Sequence, residues 1–503
     1  MVKRPLLPLL GATLAAALLF SPPSASQAPP GSSGAAAAQA AAADPAVQKA
    51  VDRMVKTIEG YGGKVGVSVV DIDTGRVLGS YDEHTALNPA SNMKLLTAAT
   101  ALWHLSGAYR FRTGLYGKRH GNATGNLVLR GTGDPSFSTD DLRALAVELR
   151  DSGVTKVDGD ILVDQSFFDA SYVPPGFDQQ PNEWAYFRAP ISALSLDRNT
   201  VTMKVYPTNA GERAVVSFEP PGFVDVSGTV TTSDKGGKRD VALSLVPNGQ
   251  RLTAKVSGSI PAEGDRLIAI RRIDDPTLYA GYALRAILAE EGVTVSGAVK
   301  AGGEKERNLL ALHRSRQLSD LLQEMGKESD NFYAETILKG LSGHAKRHGL
   351  TTADGAAIVV HELGRIGAPP DKNVILNGSG LFDTNRVSAA TFTTLLRAAW
   401  QDERIRPEFV TQLAVGGVDG TLHGRFRSIH TKRIVRAKTG TLNAVTALSG
   451  YVLAPPGKSP IAFSIVVNDI AGKVSGTRVA IDKCVEAIAR RMASSKNAGD
   501  SDD

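Results

Sequence analysis

Cysteine is almost absent from this chain: among 503 residues only Cys484 carries a thiol. That excludes an internal disulfide and leaves stability to packing. Cys484 itself falls in the apolar helical pattern of Ile481, Val485, Ile488 and Met492, which predicts a buried thiol rather than a reactive one. With one cysteine and nine scattered histidines, neither a metal site nor a cofactor is expected. The net charge of +6 is not gathered into a long basic run or a basic stripe interleaved with aromatics, so nucleic acid is excluded as a partner. Long uninterrupted apolar runs are missing too, because Pro5 and Pro8 shorten the stretch that ends at Phe20. No permanent membrane span is expected.

What is present begins with an address. Met1-Val2-Lys3-Arg4 leads into an apolar run from Leu6 to Phe20 and then Ser21-Pro22-Pro23-Ser24-Ala25-Ser26. Basic, apolar and small residues in that order predict a secretory signal peptide over residues 1–26 and an exported protein, periplasmic or extracellular. Residues 27–43 are a low-complexity, Ala-rich linker predicted to be disordered. Folded structure is predicted from Asp44, an N-cap followed by Pro45, with Val47, Val51, Met54, Val55 and Ile58 at helical spacing. Val65, Val67 and Val69 then alternate as in a strand, and Asp73-Thr74-Gly75 turns the chain back along Arg76 to Tyr81.

The length predicts two or three domains, and the texture changes twice along it. From about Thr113 short strands and turns appear, and residues 200–273 alternate apolar and polar as a small all-β unit. Helical periodicity returns at Tyr279. Residues 164–190 are irregular and aromatic (Phe167, Phe168, Tyr172, Phe177, Trp184, Tyr186, Phe187), which fits a lid over a cleft or a cover for a domain junction equally well.

Three short motifs carry chemistry. Ser91 and Lys94 share one face of a helix predicted to be capped by Asn88, with Pro89 in its first turn, so an amine can take the serine proton. Ser329-Asp330-Asn331 is a polar triplet between two helical patterns, and Lys438-Thr439-Gly440-Thr441 ends a strand-like run. Each is weak alone. In this order and setting they form the constellation of penicillin-interacting serine enzymes. Such chemistry assigns Lys94 as base for Ser91, with Ser329 relaying a proton to the leaving amine and Asn331 holding Lys94 and the substrate amide. Lys438, Thr439 and Thr441 offer a cation and hydroxyls to a substrate carboxylate, and the N–H groups of Ser91 and Thr441 form an oxyanion hole. A depressed Lys94 pKa is required, for which desolvation and the second cation Lys438 are the expected causes.

The chain resembles the class C low-molecular-mass penicillin-binding proteins, the D-alanyl-D-alanine carboxypeptidase and endopeptidase family of bacterial walls. The resemblance covers nearly everything after residue 45, and 235 positions separate Lys94 from Ser329, as they do when domains are inserted into an active-site domain. Gly133-Asp134-Pro135, Ala189 to Leu194, Gly378-Ser379-Gly380-Leu381 and Gly417 to Leu422 match further. The resemblance implies an α/β (α+β) fold: a β-lactamase/transpeptidase-like domain, an antiparallel sheet flanked by helices, with nested inserted β-rich domains. The expected boundaries are 44–112 with 312–503 for the peptidase domain, 113–199 with 274–311 for an inserted second domain, and 200–273 for a nested all-β third. Expected partners are peptidoglycan stem peptides ending in D-Ala-D-Ala, with β-lactams as covalent inhibitors.

Two departures concern the side-chain pocket, for which Gly440, Leu442, Asn182, Phe187 and Asp383 are the substrate-binding candidates beside Thr439 and Thr441. Family members that recognise diaminopimelate tend to carry an acidic residue where Asn182 stands, five before Phe187, and an arginine where Asp383 follows Gly380-Leu381-Phe382. An altered side-chain preference is expected, with Glu183, Arg188 and Arg386 as alternative contacts. Two other functions use the same fold. A serine β-lactamase needs a carboxylate-activated water, but no Glu-x-x-Leu-Asn stretch lies between Asn331 and Lys438. A non-catalytic wall-binding protein has no need of Ser91, Lys94, Ser329, Asn331 and Lys438 together.

Overall fold

The computed structural model describes residues 43–179, 184–303, 305–344, 348–368 and 373–494. The predicted signal peptide, the linker up to residue 42, Asn182 and Glu183 lie outside the described residues. Asp44 opens α1 (Pro45–Glu59), its carboxylate accepting from Ala46 N at 2.9 Å, and Pro45 sits in the first turn, where no donor is needed. The predicted hairpin follows as β1 (Lys64–Asp71) and β2 (Val77–Tyr81), paired antiparallel.

The elements of the main layer that frame the sheet and the site are α2 (Met93–Leu105), α3 (Asn331–Gly340), α4 (Ala389–Gln401), β3 (Ala414–Val415), β4 (Val435–Leu442), β5 (Val445–Val452), β6 (Ile461–Asn468) and α5 (Val474–Ser494), with the helices Leu318–Lys327, Thr352–Arg365 and Arg406–Thr411 packed beside them. Six strands form one sheet in the order β3-β4-β5-β6-β1-β2, every neighbouring pair antiparallel. Side chains alternate across it and give it two apolar faces. Val65, Val67, Val69, Leu448, Phe463 and Ile465 pack against α1 and α5. Ala447, Tyr451, Ala462 and Val466 face the core built on α2, α3 and α4. Cys484 is 2% exposed in the first of these cores, and burial pushes its thiol up to about 12, as a packing group requires.

Between α2 and α3 the chain leaves this layer. Strands 112–116, 127–131, 161–164, 299–301 and 309–314 make a five-stranded sheet in which 161–164 pairs parallel with both 127–131 and 299–301. Parallel neighbours need crossover connections. The helices Thr139–Asp151 and Tyr279–Glu290 supply them, packing Leu142, Leu145, Leu149, Tyr279, Ala283 and Ile287 on Leu127, Leu129 and Ile161. From Thr200 to Arg272 the chain is strand and turn only, a three-stranded and a four-stranded sheet sharing Met203, Val205, Ala254, Val256 and Ile260 as their core. The expected architecture, a helix-flanked antiparallel sheet with inserted β-rich sheets, is the one observed. Among the described residues no helix is long and apolar enough to cross a membrane.

Part of the aromatic stretch packs as a cover and part is exposed. Phe167 and Phe168 join a small core with Ala193 and Leu350, whereas Trp184 and Tyr186 are exposed.

Candidate active site

The helix that carries Lys94 starts later than the sequence predicts. Asn88 does not cap α2: its Oδ1 accepts from Ala90 N at 2.9 Å, and its Nδ2 donates to Phe382 O at 3.1 Å and Asp383 Oδ1 at 3.0 Å. The Asn468 side chain holds the Asn88 backbone from the other side, accepting from its N at 2.9 Å and donating to its O at 3.0 Å. Ala90 has φ +45°, a left-handed conformation that cannot continue a helix, so a 3₁₀ turn over Ala90–Asn92 presents Ser91 before α2 begins at Met93. Two glycines let neighbouring backbones close on this turn. A Cβ at Gly380, itself at φ +74°, would lie 1.8 Å from Ala90 O, and one at Gly440 would lie 2.7 Å from Pro89 O.

One helical turn on, Lys94 is fully buried and its amine has three partners. Nζ lies 2.9 Å from Ser91 Oγ, 2.8 Å from Asn331 Oδ1 and 2.9 Å from Ser379 O. Lys438 on β4 is equally buried, with Nζ donating to Ser329 Oγ at 2.8 Å and to Thr439 O at 3.0 Å. Ser329 has φ +60° and so ends the preceding helix, and Asp330 restarts the chain as the N-cap of α3, its Oδ1 accepting from Tyr333 N at 3.0 Å. The structure thus brings residues from three separate parts of the chain into two adjoining hydrogen-bonded sets, Ser91 with Lys94 and Asn331, and Ser329 with Lys438.

Burial depresses Lys94 to about 7 against the opposing pull of Glu335 and Asp330; the second cation, Lys438, is not a cause, contrary to expectation. Burial, and then the charge of Lys94, hold Lys438 well below the usual lysine range. Neutral Lys94 has two N–H donors and one lone pair, which matches Asn331 Oδ1, Ser379 O and a donating Ser91 hydroxyl.

Several residues of the cluster carry no signal in the sequence. Glu335, one turn after Asn331 and fully buried, accepts from Gly378 N at 3.0 Å and Ser379 N at 2.8 Å, which fixes the carbonyl that receives Lys94. Thr439 Oγ1 donates to Thr421 Oγ1 at 2.9 Å, and Arg478 of α5 donates to Thr441 Oγ1 at 3.4 Å. Only the Gly417-to-Leu422 motif hinted at Thr421. Of the pocket candidates, Leu442 ends β4 half-buried, and the Phe187 carbonyl lies 3.4 Å from Asn331 Nδ2. Asp383 is committed to Arg386, whose Nη1 is 2.7 Å from Oδ1, and to Asn88. Arg188 packs over the Phe382 ring at 5.1 Å and donates to Phe177 O. His344 and His348 do stand at the i, i+4 spacing of a ligand pair, but His348 Nδ1 lies 3.1 Å from Ser166 Oγ. Among the described residues no group of three or more His, Cys, Asp or Glu is placed to hold a metal ion.

Comparison with known proteins agrees with this geometry. The model of the D-Ala-D-Ala carboxypeptidase 3 (S13) family matches residues 47–489. The chain is 35% identical to the D-alanyl-D-alanine carboxypeptidase of Actinomadura sp. (strain R39) over 449 residues, covering 85% of this chain and 80% of that protein. It is 27% identical to the D-alanyl-D-alanine carboxypeptidase DacB of Haemophilus influenzae, covering 81% and 86%. The crystal structure of penicillin binding protein 4 from H. influenzae superposes with a TM-score of 0.72 at 25% identity, covering 87% of this chain and 98% of that one. A match over nearly all the folded chain, joined to a Ser91–Lys94 pair whose lysine is fully buried, means that the chain belongs to the D-Ala-D-Ala carboxypeptidase 3 (S13) family of serine-type carboxypeptidases.

Proposed function

We propose that this exported carboxypeptidase cleaves the terminal D-Ala-D-Ala bond of peptidoglycan stem peptides, and cross-links that end on D-Ala, through an acyl-enzyme on Ser91. The observation that carries the proposal is the Lys94 amine, 2.9 Å from Ser91 Oγ and held by burial at about 7, where it is half neutral near neutral pH. The Ser91 proton passes to Lys94 as Oγ attacks the penultimate carbonyl carbon. The oxyanion is received by the N–H groups of Ser91 and Thr441. As the C–N bond breaks, Ser329, held by Lys438, gives its proton to the departing D-Ala amine. It takes up the proton that Lys94 received from Ser91, so that Lys94 and Ser329 both end the step as they began. Thr439 and Thr441 receive the D-Ala carboxylate, with Arg478 beside Thr441 supplying a lasting positive charge. Water then hydrolyses the acyl-enzyme. The peptidase part of the chain, 44–112 with 312–503, bears Ser91, Lys94, Ser329, Asn331 and Lys438, and the pieces 113–199 with 274–311 and 200–273 are its inserted domains.

Penicillins acylate the same serine and stay. The two acidic groups bearing on Lys94 are both occupied, Glu335 by the 378–379 backbone and Asp330 by its cap and by Arg198 at 2.7 Å, which leaves neither to activate a water on a penicilloyl ester. This favours a carboxypeptidase over a β-lactamase. The test is mass spectrometry of the wild-type protein with benzylpenicillin, and of a monomeric pentapeptide and a cross-linked muropeptide after digestion. One stable adduct on the Ser91 peptide, with D-alanine released and the cross-link opened, is expected. Rapid loss of the adduct together with intact peptides would refute the proposal.

Side-chain preference provides a further expectation. Asp383 and Arg386 already neutralise one another at 2.7 Å, so no isolated cation at residue 383 faces the free carboxylate of a diaminopimelate side chain. Peptides with and without that free end are expected to turn over within about threefold of each other, a gap of less than one hydrogen bond to a charged group. A strong preference for the free end would count against this pocket assignment.

A further inference from the structure

Arg198 of the inserted segment reaches the middle residue of the Ser329-Asp330-Asn331 motif. Asp197, Arg198 and Asn199 have φ of +45°, +58° and +52°, three successive non-glycine residues in the left-handed region. The turn is anchored on both sides. The Asp197 carboxylate accepts from Thr139 N at 3.0 Å and from the Thr139 hydroxyl. The fully buried Asn199 donates through Nδ2 to Pro190 O at 2.8 Å and Ser192 Oγ at 3.1 Å. Between these anchors Arg198 projects toward the start of α3. Its Nη1 donates to Asp330 Oδ2 at 2.7 Å, its Nη2 donates to Glu324, and its guanidinium lies 5.0 Å from the centre of the Tyr333 ring. Glu324 is shared with Arg316, at 2.7 Å, and with the Tyr333 hydroxyl, at 3.2 Å.

Asp330 is the residue between Ser329, which meets Lys438, and Asn331, which meets Lys94. One of its oxygens caps α3 and the other takes Arg198, so both are fixed. The charged groups that bear on Lys94 are Glu335 and Asp330, both from α3, and both carboxylates favour its ammonium form. Lys438 from β4 is itself held down by the charge of Lys94. Arg198 is the counter-ion of one of those carboxylates.

We propose that Arg198 is a positioning residue through which the inserted segment holds Ser329 and Asn331 in register and offsets part of the Asp330 charge. The inference rests on the reading of Ser91 and Lys94 as the acylating pair. It gives the inserted part of the chain a role in the chemistry: the strained turn is what aims a permanent cation at the middle residue of the Ser329-Asp330-Asn331 motif. A methionine at residue 198 keeps the packing over Tyr333 and removes the charge. An asparagine at residue 330 keeps the α3 cap and removes the charge on the other side.

The experiment measures the acylation rate by a fluorescent penicillin against pH for the full chain and for Arg198→Met, Arg198→Lys, Asp330→Asn and the double variant Arg198→Met/Asp330→Asn. Arg198→Met is expected to acylate about tenfold more slowly near neutral pH, with the midpoint of the acid limb moved up by about one unit. Arg198→Lys is expected to restore most of the rate. Asp330→Asn is expected to move the midpoint down, and the double variant, with both charges gone, to lie between Asp330→Asn and the parent. A merely structural strut would change rate and melting temperature but leave every midpoint at the wild-type value, and that result overturns the inference. Should Arg198→Met not fold, Asp330→Asn reads the same coupling, and a midpoint that stays in place overturns the inference equally. A wild-type protein that takes no label refutes the acylating pair itself. Normal wild-type labelling with unmoved midpoints in the variants refutes the role of Arg198 alone.

Discussion

Ser91→Ala is expected to take no covalent label from benzylpenicillin and to release no D-alanine from a pentapeptide, and Lys94→Met to acylate about a thousandfold more slowly than the parent chain. The first variant removes the only atom placed to form the ester. The second keeps a side chain of similar length in the buried slot but takes away the proton acceptor 2.9 Å from Ser91 Oγ. Intact-protein mass gives the label and its rate. Labelling of Ser91→Ala at the parent stoichiometry, or an unchanged rate in Lys94→Met, would discard this assignment.

Lys94 is also expected to set the pH dependence. With the amine at about 7, the neutral fraction falls about tenfold for each unit of pH below that point, so acylation follows an acid limb with a midpoint near 7 and is level above it. The stability effect has its own sign. A lysine whose folded pKa lies below its unfolded value costs the fold progressively more as pH falls from the unfolded value of 10.5 to the folded value of about 7, and a constant amount below that. Lys94→Met abolishes that dependence. Its stability relative to the parent is therefore expected to rise as the pH is lowered through this window, even as its activity is lost, which separates loss of the base from loss of the fold. Denaturant melts at neutral and alkaline pH measure the difference.

Glu335→Gln is the second large effect. The Glu335 carboxyl is fully buried, pushed up by burial and drawn back by hydrogen bonds from Ser379 and Gly378 and by the charge of Lys94. Both of its oxygens accept backbone N–H groups, at 2.8 and 3.0 Å. A glutamine of the same shape has one acceptor and one donor group, so one N–H would face an NH₂ with no water to relieve it. The expected cost is about 2 kcal/mol, the penalty of one unsatisfied buried polar group. Because Ser379 O is an acceptor for Lys94, acylation is expected to slow by roughly tenfold as well. Equilibrium unfolding and the penicillin acylation rate read the two effects. A variant as stable and as fast as the parent would show that the 378–379 segment is held by something other than Glu335.

What the sequence made visible was local or came in recognisable runs. Ser91 and Lys94 share a helical face because they stand three apart, and strands β4, β5 and β6 announce themselves as apolar runs. The late start of α2 was hidden because it depends on residues hundreds of positions from Asn88: Phe382 and Asp383 accept from its side chain, and Asn468 holds its backbone. Parallel pairing of 127–131 with 161–164 was equally hidden, since its partners are chosen across a crossover helix and not by a turn. Glu335 and Arg198 read in the sequence as ordinary surface charges. Only the fold brings one to the backbone of Gly378 and the other to Asp330.

Along α3 the polar residues Asn331, Glu335 and Lys339 recur at every fourth position, each about one 5.4 Å turn beyond the last. The first meets the Lys94 amine, the second the 378–379 backbone, and the third Asp169 and the carbonyl of Ser171 in the inserted segment, at 2.7 Å from the latter. The helix therefore works as a keyed shaft with three teeth in three different locks. It cannot slide or turn for one of them alone, so the proton acceptor, the motif loop and the inserted segment are tied to a single mechanical degree of freedom. A motion that frees any one of them has to withdraw the whole shaft.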